Sequence, residues 1–304
     1  LSTPRTDHED IPDQPYAKWL GATWTADAHE THQTLGKQPV DWLVVDHYSL
    51  DGQWERTMRP LAKKIMVIDD LADRKHDCDL LLDQNLGRTE RDYEGLINAR
   101  AKLLIGPDYA LIRPEFAQVR EYSMERRREP KLRRLLVSMG GVDLANITSE
   151  VIEKLKSCPL PLNTEISIVM GKNAPWLQRI QTAVEGMPWR TKVLIDVDNI
   201  APLMAESDLA IGAAGGSAWE RCAVGLPSII LIAAQNQIDG ARALHRHGAA
   251  IVLEKASEIP SIVNEILPVE QMRIILKRMS HLAAELVSGH GTEKVTLTMT
   301  SEYA

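Results

Sequence analysis

The chain has 304 residues, 44% hydrophobic and 25% charged, which is globular composition and length enough for two cores. Its formal net charge of −7 speaks against a general nucleic-acid binder, which needs a basic face. Three cysteines, Cys78, Cys158 and Cys222, with no C-x-x-C spacing, argue against a disulfide framework or a zinc ribbon. No apolar run approaches the ~20 residues of a membrane span. Reduced thiols and the polar start Leu1 to Asp7 fit a cytoplasmic protein without a signal-peptide core.

Taken in chain order, Tyr16 to Leu35 reads as loop and helix, so the first good strand is Asp41 to Val45. Short apolar runs then recur, each closed by a polar residue or glycine: Leu43-Val44-Val45, Ile65 to Ile68, Leu80-Leu81-Leu82 and Leu103-Leu104-Ile105. Continuous runs of this length suit parallel strands buried on both faces. A doubly wound domain opens on a strand and a Gly-rich turn, which the first 40 residues lack. The chain also begins with Leu1 rather than Met. The expectation is a first domain short of at least one βα unit, on the order of 30 residues.

A charged stretch from Arg120 to Arg134, broken by Pro130, reads as the linker region, with its basic cluster Arg126-Arg127-Arg128 as a solvated face. A second strand series follows: Leu135 to Val137, Ile166 to Val169, Val193 to Ile195, Leu209 to Ile211, Ile229 to Ile232 and Ile251 to Leu253. The last long helix carries Ile275, Met279, Leu282 and Leu286 on one face. The reading is α/β, two Rossmann-like domains, with residues 1–125 as a truncated sugar-side domain and 126–304 as the nucleotide-binding domain.

The strongest local motif is Gly215-Gly216-Ser217-Ala218-Trp219-Glu220-Arg221, after the strand at Leu209 to Ile211. Glycines let a backbone approach a phosphate, Ser217 adds a hydroxyl, and Glu220 can accept from a ribose diol. The same residues also make an ordinary strand-to-helix turn. Gly140 and Gly141 occupy the first βα turn of the second domain, where ligands of open sheets gather. Gln235-Asn236-Gln237 follows a third strand. Asp196 to Ile200 offers either carboxylates for a metal or, by preference, a helix cap at Asp198 or Asn199. The acidic run Asp69 to Asp79 matches no standard metal spacing and is read as turn, cap and ion pairs with Arg74 and Lys75. His47, at a strand end, is equally a general base or a structural histidine.

Together these blocks resemble the UDP-2,4-diacetamido-2,4,6-trideoxy-β-L-altropyranose hydrolases, the PseG family. The matching residues include Asp41 to Tyr48, Ile68 to Arg74, Cys78 to Asn85, Gly106 to Leu111, Arg113 to Phe116, Ser138 to Gly141 with Asp143, Gly215 to Cys222, Gly225 to Ser228, and Asn236-Gln237. That family resembles the two-domain GT-B glycosyltransferases, MurG above all. The resemblance implies water attack at the anomeric carbon without metal or cofactor. It implies that Gly140, Gly141, Gly215, Gly216 and Ser217 hold the diphosphate and Glu220 the ribose. Backbone near Ile200 would take uracil, while Asn236, Gln237 and Tyr48 would face the sugar. The family's base is a histidine in a Gly-rich loop after the first strand. His8 has neither strand nor glycines before it and does not inherit that role, which leaves His47 as the in-chain candidate. The expected partners are a UDP-sugar and UDP, with no nucleic acid or membrane, and the expected state is a monomer. A GT-B glycosyltransferase and a non-catalytic UDP-sugar-binding module are the alternatives.

Overall fold

Apolar runs that read as strands buried on both faces form two parallel sheets. The computed structural model describes residues 16–36 and 38–301; His8 lies outside them. The chain divides into two compact units, one ending at Tyr109 and the other beginning at Ala110.

The first unit holds β1 (Val40–Val45), β2 (Ala62–Ile68), β3 (Leu80–Asp83) and β4 (Lys102–Ile105), all parallel and in spatial order β1-β2-β3-β4. Its helices are α1 (Ala17–Leu20), α2 (Trp24–Leu35) and α3 (Gly52–Met58). Thr23 starts α2 by accepting the Ala26 N–H at 3.2 Å, and Asp51 starts α3 by accepting that of Gln53 at 2.8 Å. Trp54 and Met58 of α3 pack with Ile65, Val67 and Leu81 in one core. Every residue of β3 is buried, so its three leucines alone contribute several kcal/mol of hydrophobic stabilisation, about 1.5–3 each.

The second unit holds β5 (Arg134–Ser138), β6 (Glu165–Met170), β7 (Arg190–Ile195), β8 (Leu209–Ala213), β9 (Ser228–Leu231) and β10 (Ala250–Leu253). They pair in parallel in the order β10-β9-β8-β5-β6-β7. Among the described residues nine helices accompany them: α4 (Glu115–Arg126), α5 (Ile147–Leu155), α6 (Leu177–Glu185), α7 (Ala201–Glu206), α8 (Ser217–Ala223), α9 (Ile238–His247), α10 (Ile259–Ile266), α11 (Val269–Leu286) and α12 (Gly291–Ser301). No helix among the described residues is long and apolar enough to cross a membrane.

The expected linker is not one. The boundary falls at 109/110 rather than 125/126, and α4 belongs to the second unit. Its polar side chains close the C-terminal ends of three other helices. Arg120 donates to the carbonyls of Ala223, of Val287 at 2.9 Å and of Ala284 at 2.6 Å. Ser123 Oγ donates to the Val224 carbonyl at 2.6 Å. Arg127 donates to the carbonyls of Met204 at 2.9 Å, Ala205 at 3.0 Å and Ser207 at 2.8 Å. The last carbonyls of a helix have no partner within it, so a buried helix end needs donors from elsewhere. Burial pulls the Arg127 guanidinium down to about 9, which still leaves it charged at neutral pH. Arg120 and Arg127 thus spend their charge on helix ends, whereas Arg128 stays on the solvated face.

Candidate nucleotide-binding site

Counted from its edge, the second sheet runs β7-β6-β5-β8-β9-β10, the strand order 3-2-1-4-5-6 of a doubly wound fold. The chain moves outward one way from β5 and the other way from β8. Those two strands are neighbours, with Ser138 opposite Gly212. A crevice opens beyond the carboxyl ends of strands where the winding reverses. The Gly140-Gly141 loop leaves β5 at this point, and Gly215-Gly216-Ser217 leaves β8. β9 lies on the other side of β8 and leads into Gln235-Asn236-Gln237. A carbon placed on Gly215 would sit 3.6 Å from Gln237 Nε2, so the Gln237 amide lies over the glycine turn. Asn236 is exposed beside it.

The two glycine loops are not equivalent. Gly140 has φ +97° and, like Gly141, is exposed. The N-terminus of the helix after them is already occupied, because Asp143 accepts the N–H groups of Ile147 and Thr148, both at 2.9 Å. A buried carboxylate there satisfies the donors a phosphate would need and opposes a second anion. Gly140 and Gly141 therefore offer a ligand only close backbone approach. The β8–α8 turn carries no such carboxylate cap, since Gly216 is the residue before α8 and no side chain bonds there.

Glu220, one turn into α8, is half-buried, and burial raises its carboxyl above the ordinary range, while Arg113 and Arg221 pull it back. Arg113 NH1 also donates to the Asp198 carbonyl at 2.5 Å. It thereby links the loop after β7 to the surroundings of Glu220. In that loop Asn199 Oδ1 accepts the Ala201 N–H at 3.2 Å, a local turn leading into α7, whose N-cap position is Ile200 with no side-chain cap of its own. Ile200 is half-buried, and its carbonyl accepts the Met204 N–H at 2.9 Å; its N–H is the group it has to offer a base. Lys172 pairs with Asp196 at 3.3 Å.

Arg221 is almost fully buried under the turn. Its NH2 donates to the Ala213 carbonyl at 2.7 Å and its NH1 to Ser217 Oγ at 3.1 Å. A side-chain carbon at Gly212 would lie 2.8 Å from both Arg221 NH1 and the Ser138 carbonyl oxygen. Glycine at 212 is therefore what admits the guanidinium.

In the first unit, Tyr48 and His47 follow β1. Tyr48 donates to Asp70 Oδ2 at 2.8 Å, and its ring packs against Trp19 and Tyr16 at centroid distances of 5.1 and 5.7 Å. His47 bonds within its own turn. Its Nδ1 accepts the Ser49 N–H at 3.1 Å. That bond engages the Nδ1 lone pair. The geometry gives His47 a turn-fixing role. The acidic run divides among local partners, as expected. Asp69 pairs with Arg74 at 2.9 Å and accepts from Tyr93 at 3.0 Å, while Asp77 and Asp79 both pair with Arg59 rather than Lys75. Among the described residues, no group of three His, Cys, Asp or Glu side chains is placed to hold a metal. Asp70, half-buried with its carboxyl raised by burial, was passed over as one more member of that run. Arg113 and Arg221 were passed over too. Only the fold shows where their long side chains end.

The model of the glycosyltransferase family 28 C-terminal domain matches residues 135–292, which span β5 to the first turn of α12. The UDP-2,4-diacetamido-2,4,6-trideoxy-β-L-altropyranose hydrolase of Campylobacter jejuni is 29% identical over 60% of this chain and 63% of its own. The UDP-N-acetylglucosamine–N-acetylmuramyl-(pentapeptide) pyrophosphoryl-undecaprenol N-acetylglucosamine transferase of Acetivibrio thermocellus is 30% identical over 60% of this chain and 52% of its own. The chain thus spans less than two thirds of the length of these curated relatives. MurG of Acinetobacter baumannii superposes with a TM-score of 0.65 at 15% identity, covering 99% of this chain and 84% of its own, so the fold is of the GT-B type. With more than half its length matched by that model, the chain belongs to the glycosyltransferase family 28 C-terminal domain family, among relatives that act on UDP-sugars.

Proposed function

We propose that this protein is a UDP-sugar hydrolase that releases UDP from UDP-2,4-diacetamido-2,4,6-trideoxy-β-L-altropyranose by attack of water at the anomeric carbon. The observation that carries the nucleotide half of this reading is the convergence of Gly140-Gly141, Gly215-Gly216-Ser217 and Gln237 at the reversal point of the second sheet, with Glu220 one turn beyond. In this reading the β8–α8 turn takes the diphosphate and Glu220 the ribose hydroxyls. The backbone at Ile200 takes the base, and Asn236 and Gln237 meet the sugar end. In the first unit, Tyr48, held by Asp70, is the residue this reading assigns to the sugar. The protein works as a cytoplasmic monomer without metal or cofactor. Hydrolase rather than transferase rests on the blocks shared with the altropyranose hydrolases and on the Campylobacter relative.

A glycosyltransferase on the same fold is the second reading, favoured by the family model and by the transferase relatives. Incubating the protein with the UDP-sugar, with and without a lipid-linked sugar acceptor, separates the two. Equal amounts of UDP and free sugar without acceptor support the hydrolase. UDP formed only with acceptor supports the transferase. Tight UDP binding with turnover in neither arm leaves a non-catalytic UDP-sugar-binding module and removes the hydrolase.

A further inference from the structure

Arg221 has the largest of the fully buried side chains, and it makes no ion pair with any carboxylate among the described residues. Glu220, its chain neighbour, acts on it only at longer range, and its Nε has no hydrogen-bond partner. Burying an arginine costs several kcal/mol unless an opposite charge accompanies it. A neutral amide would serve the Ala213 carbonyl as well. The sequence instead keeps a guanidinium and gives up a side chain at Gly212 to admit it.

We propose that Arg221 is the fixed positive charge of the diphosphate subsite, acting from beneath the β8–α8 turn without touching the ligand. This rests on the reading that the turn holds the diphosphate of UDP. The need for such a charge follows from α8, which has only seven residues and thus a short stack of aligned peptide dipoles. The hydrogen bond from NH1 does a second job. It occupies a lone pair of Ser217 Oγ, so the hydroxyl hydrogen turns outward, and a hydroxyl that accepts from a cation is a stronger donor. Burial lowers the guanidinium to about 10, so it stays protonated at neutral pH. Arg221 is therefore a positioning and electrostatic residue. Its bonds to Ala213 and Ser217 fix the turn before the anion arrives, and its charge meets the anion there.

The test compares UDP with uridine, which lacks the diphosphate, by titration calorimetry and ligand-observed NMR on the protein, Arg221→Met and Arg221→Lys. Arg221→Met should weaken UDP roughly 10–50-fold, the effect of one charge at several ångströms in a partly buried site, and leave uridine unchanged. In Arg221→Lys the buried ammonium loses its proton more easily than an arginine does. Its UDP affinity relative to the unmodified protein should therefore fall as pH rises from 6 to 9. Equal weakening of both ligands by Arg221→Met, or a lysine variant whose relative affinity ignores pH, would reduce Arg221 to a structural prop. Should Arg221→Met fail to fold, the pH series on Arg221→Lys decides alone. If the unmodified protein binds UDP no tighter than uridine, the diphosphate assignment of the turn itself is wrong, a different failure from that of Arg221.

Discussion

Removing Glu220 should erase the protein's ability to tell UDP from 2′-deoxy-UDP. Glu220 sits one turn into α8, half-buried, with Arg113 and Arg221 acting on it electrostatically. A hydrogen bond from a ribose hydroxyl to a carboxylate is worth about 1.5–3 kcal/mol. Partial exposure puts this one at the lower end, about 1.5 kcal/mol, or roughly tenfold in Kd. The unmodified protein should then bind UDP about tenfold tighter than the deoxy ligand, and Glu220→Ala should bind the two alike. Calorimetry on both proteins with both ligands closes a double-mutant cycle in which general loosening of the site cancels. Burial raises the Glu220 carboxyl, so acidification should remove the discrimination at a pH above that of an ordinary glutamate, about 4.3. The ratio of the two affinities cancels the ligand's own phosphate titration. A Glu220→Ala protein that still prefers UDP tenfold would refute the ribose assignment.

Asp143→Ala should lose about 1–2 kcal/mol of stability, because it strips two N–H acceptors from the start of α5. That lowers the melting temperature by roughly 2–4 °C, readable by thermal denaturation. Asp83, buried beside Tyr93, has its carboxyl raised to about 6 by burial. The folded state then binds the extra proton between the ordinary aspartate value, about 3.9, and that raised value. Stability from this group is fully present below the lower value and is lost as pH rises through about 6, by an amount on the order of 2–3 kcal/mol. Asp83→Asn should flatten that slope in denaturant melts run from pH 4 to 7. UDP binding and UDP release should both persist in EDTA. Activity that vanishes with chelator and returns with magnesium would point instead to the acidic run from Asp69 to Asp79.

The ten strands of the described residues lie where the apolar runs place them; β3 and β9, buried throughout, have no room for charge at their centres, while the edge strands β1 and β7 are partly exposed and admit Asp41 and Lys192. The glycine turns were legible for a related reason: a strand that ends in Gly-Gly leaves a mark in one stretch of sequence. Two things were not legible. One is the destination of long polar side chains. Arg120 and Arg127 look solvent-facing in a charged run, yet both end on carbonyls of helices that lie some 80 to 160 residues onward. The other is which donors are already spoken for. Asp143 belongs to the glycine loop in sequence, yet its two bonds go to the start of α5, and His47, equally a base or a structural histidine in sequence, takes the Ser49 N–H on its Nδ1.

The polar side chains of α4 also decide where the second unit can be separated from the rest. A fragment starting at residue 126 would lose Arg120 and Ser123, stripping donors from the ends of α8 and α11. It would also lose the buried Phe116, and with it Met124, which closes over Gly225. One starting at Ala110 keeps all of these, together with the Arg113 contact to Asp198. The natural seam for moving the second unit onto a different partner therefore runs ahead of α4, with the helix travelling as part of the cargo.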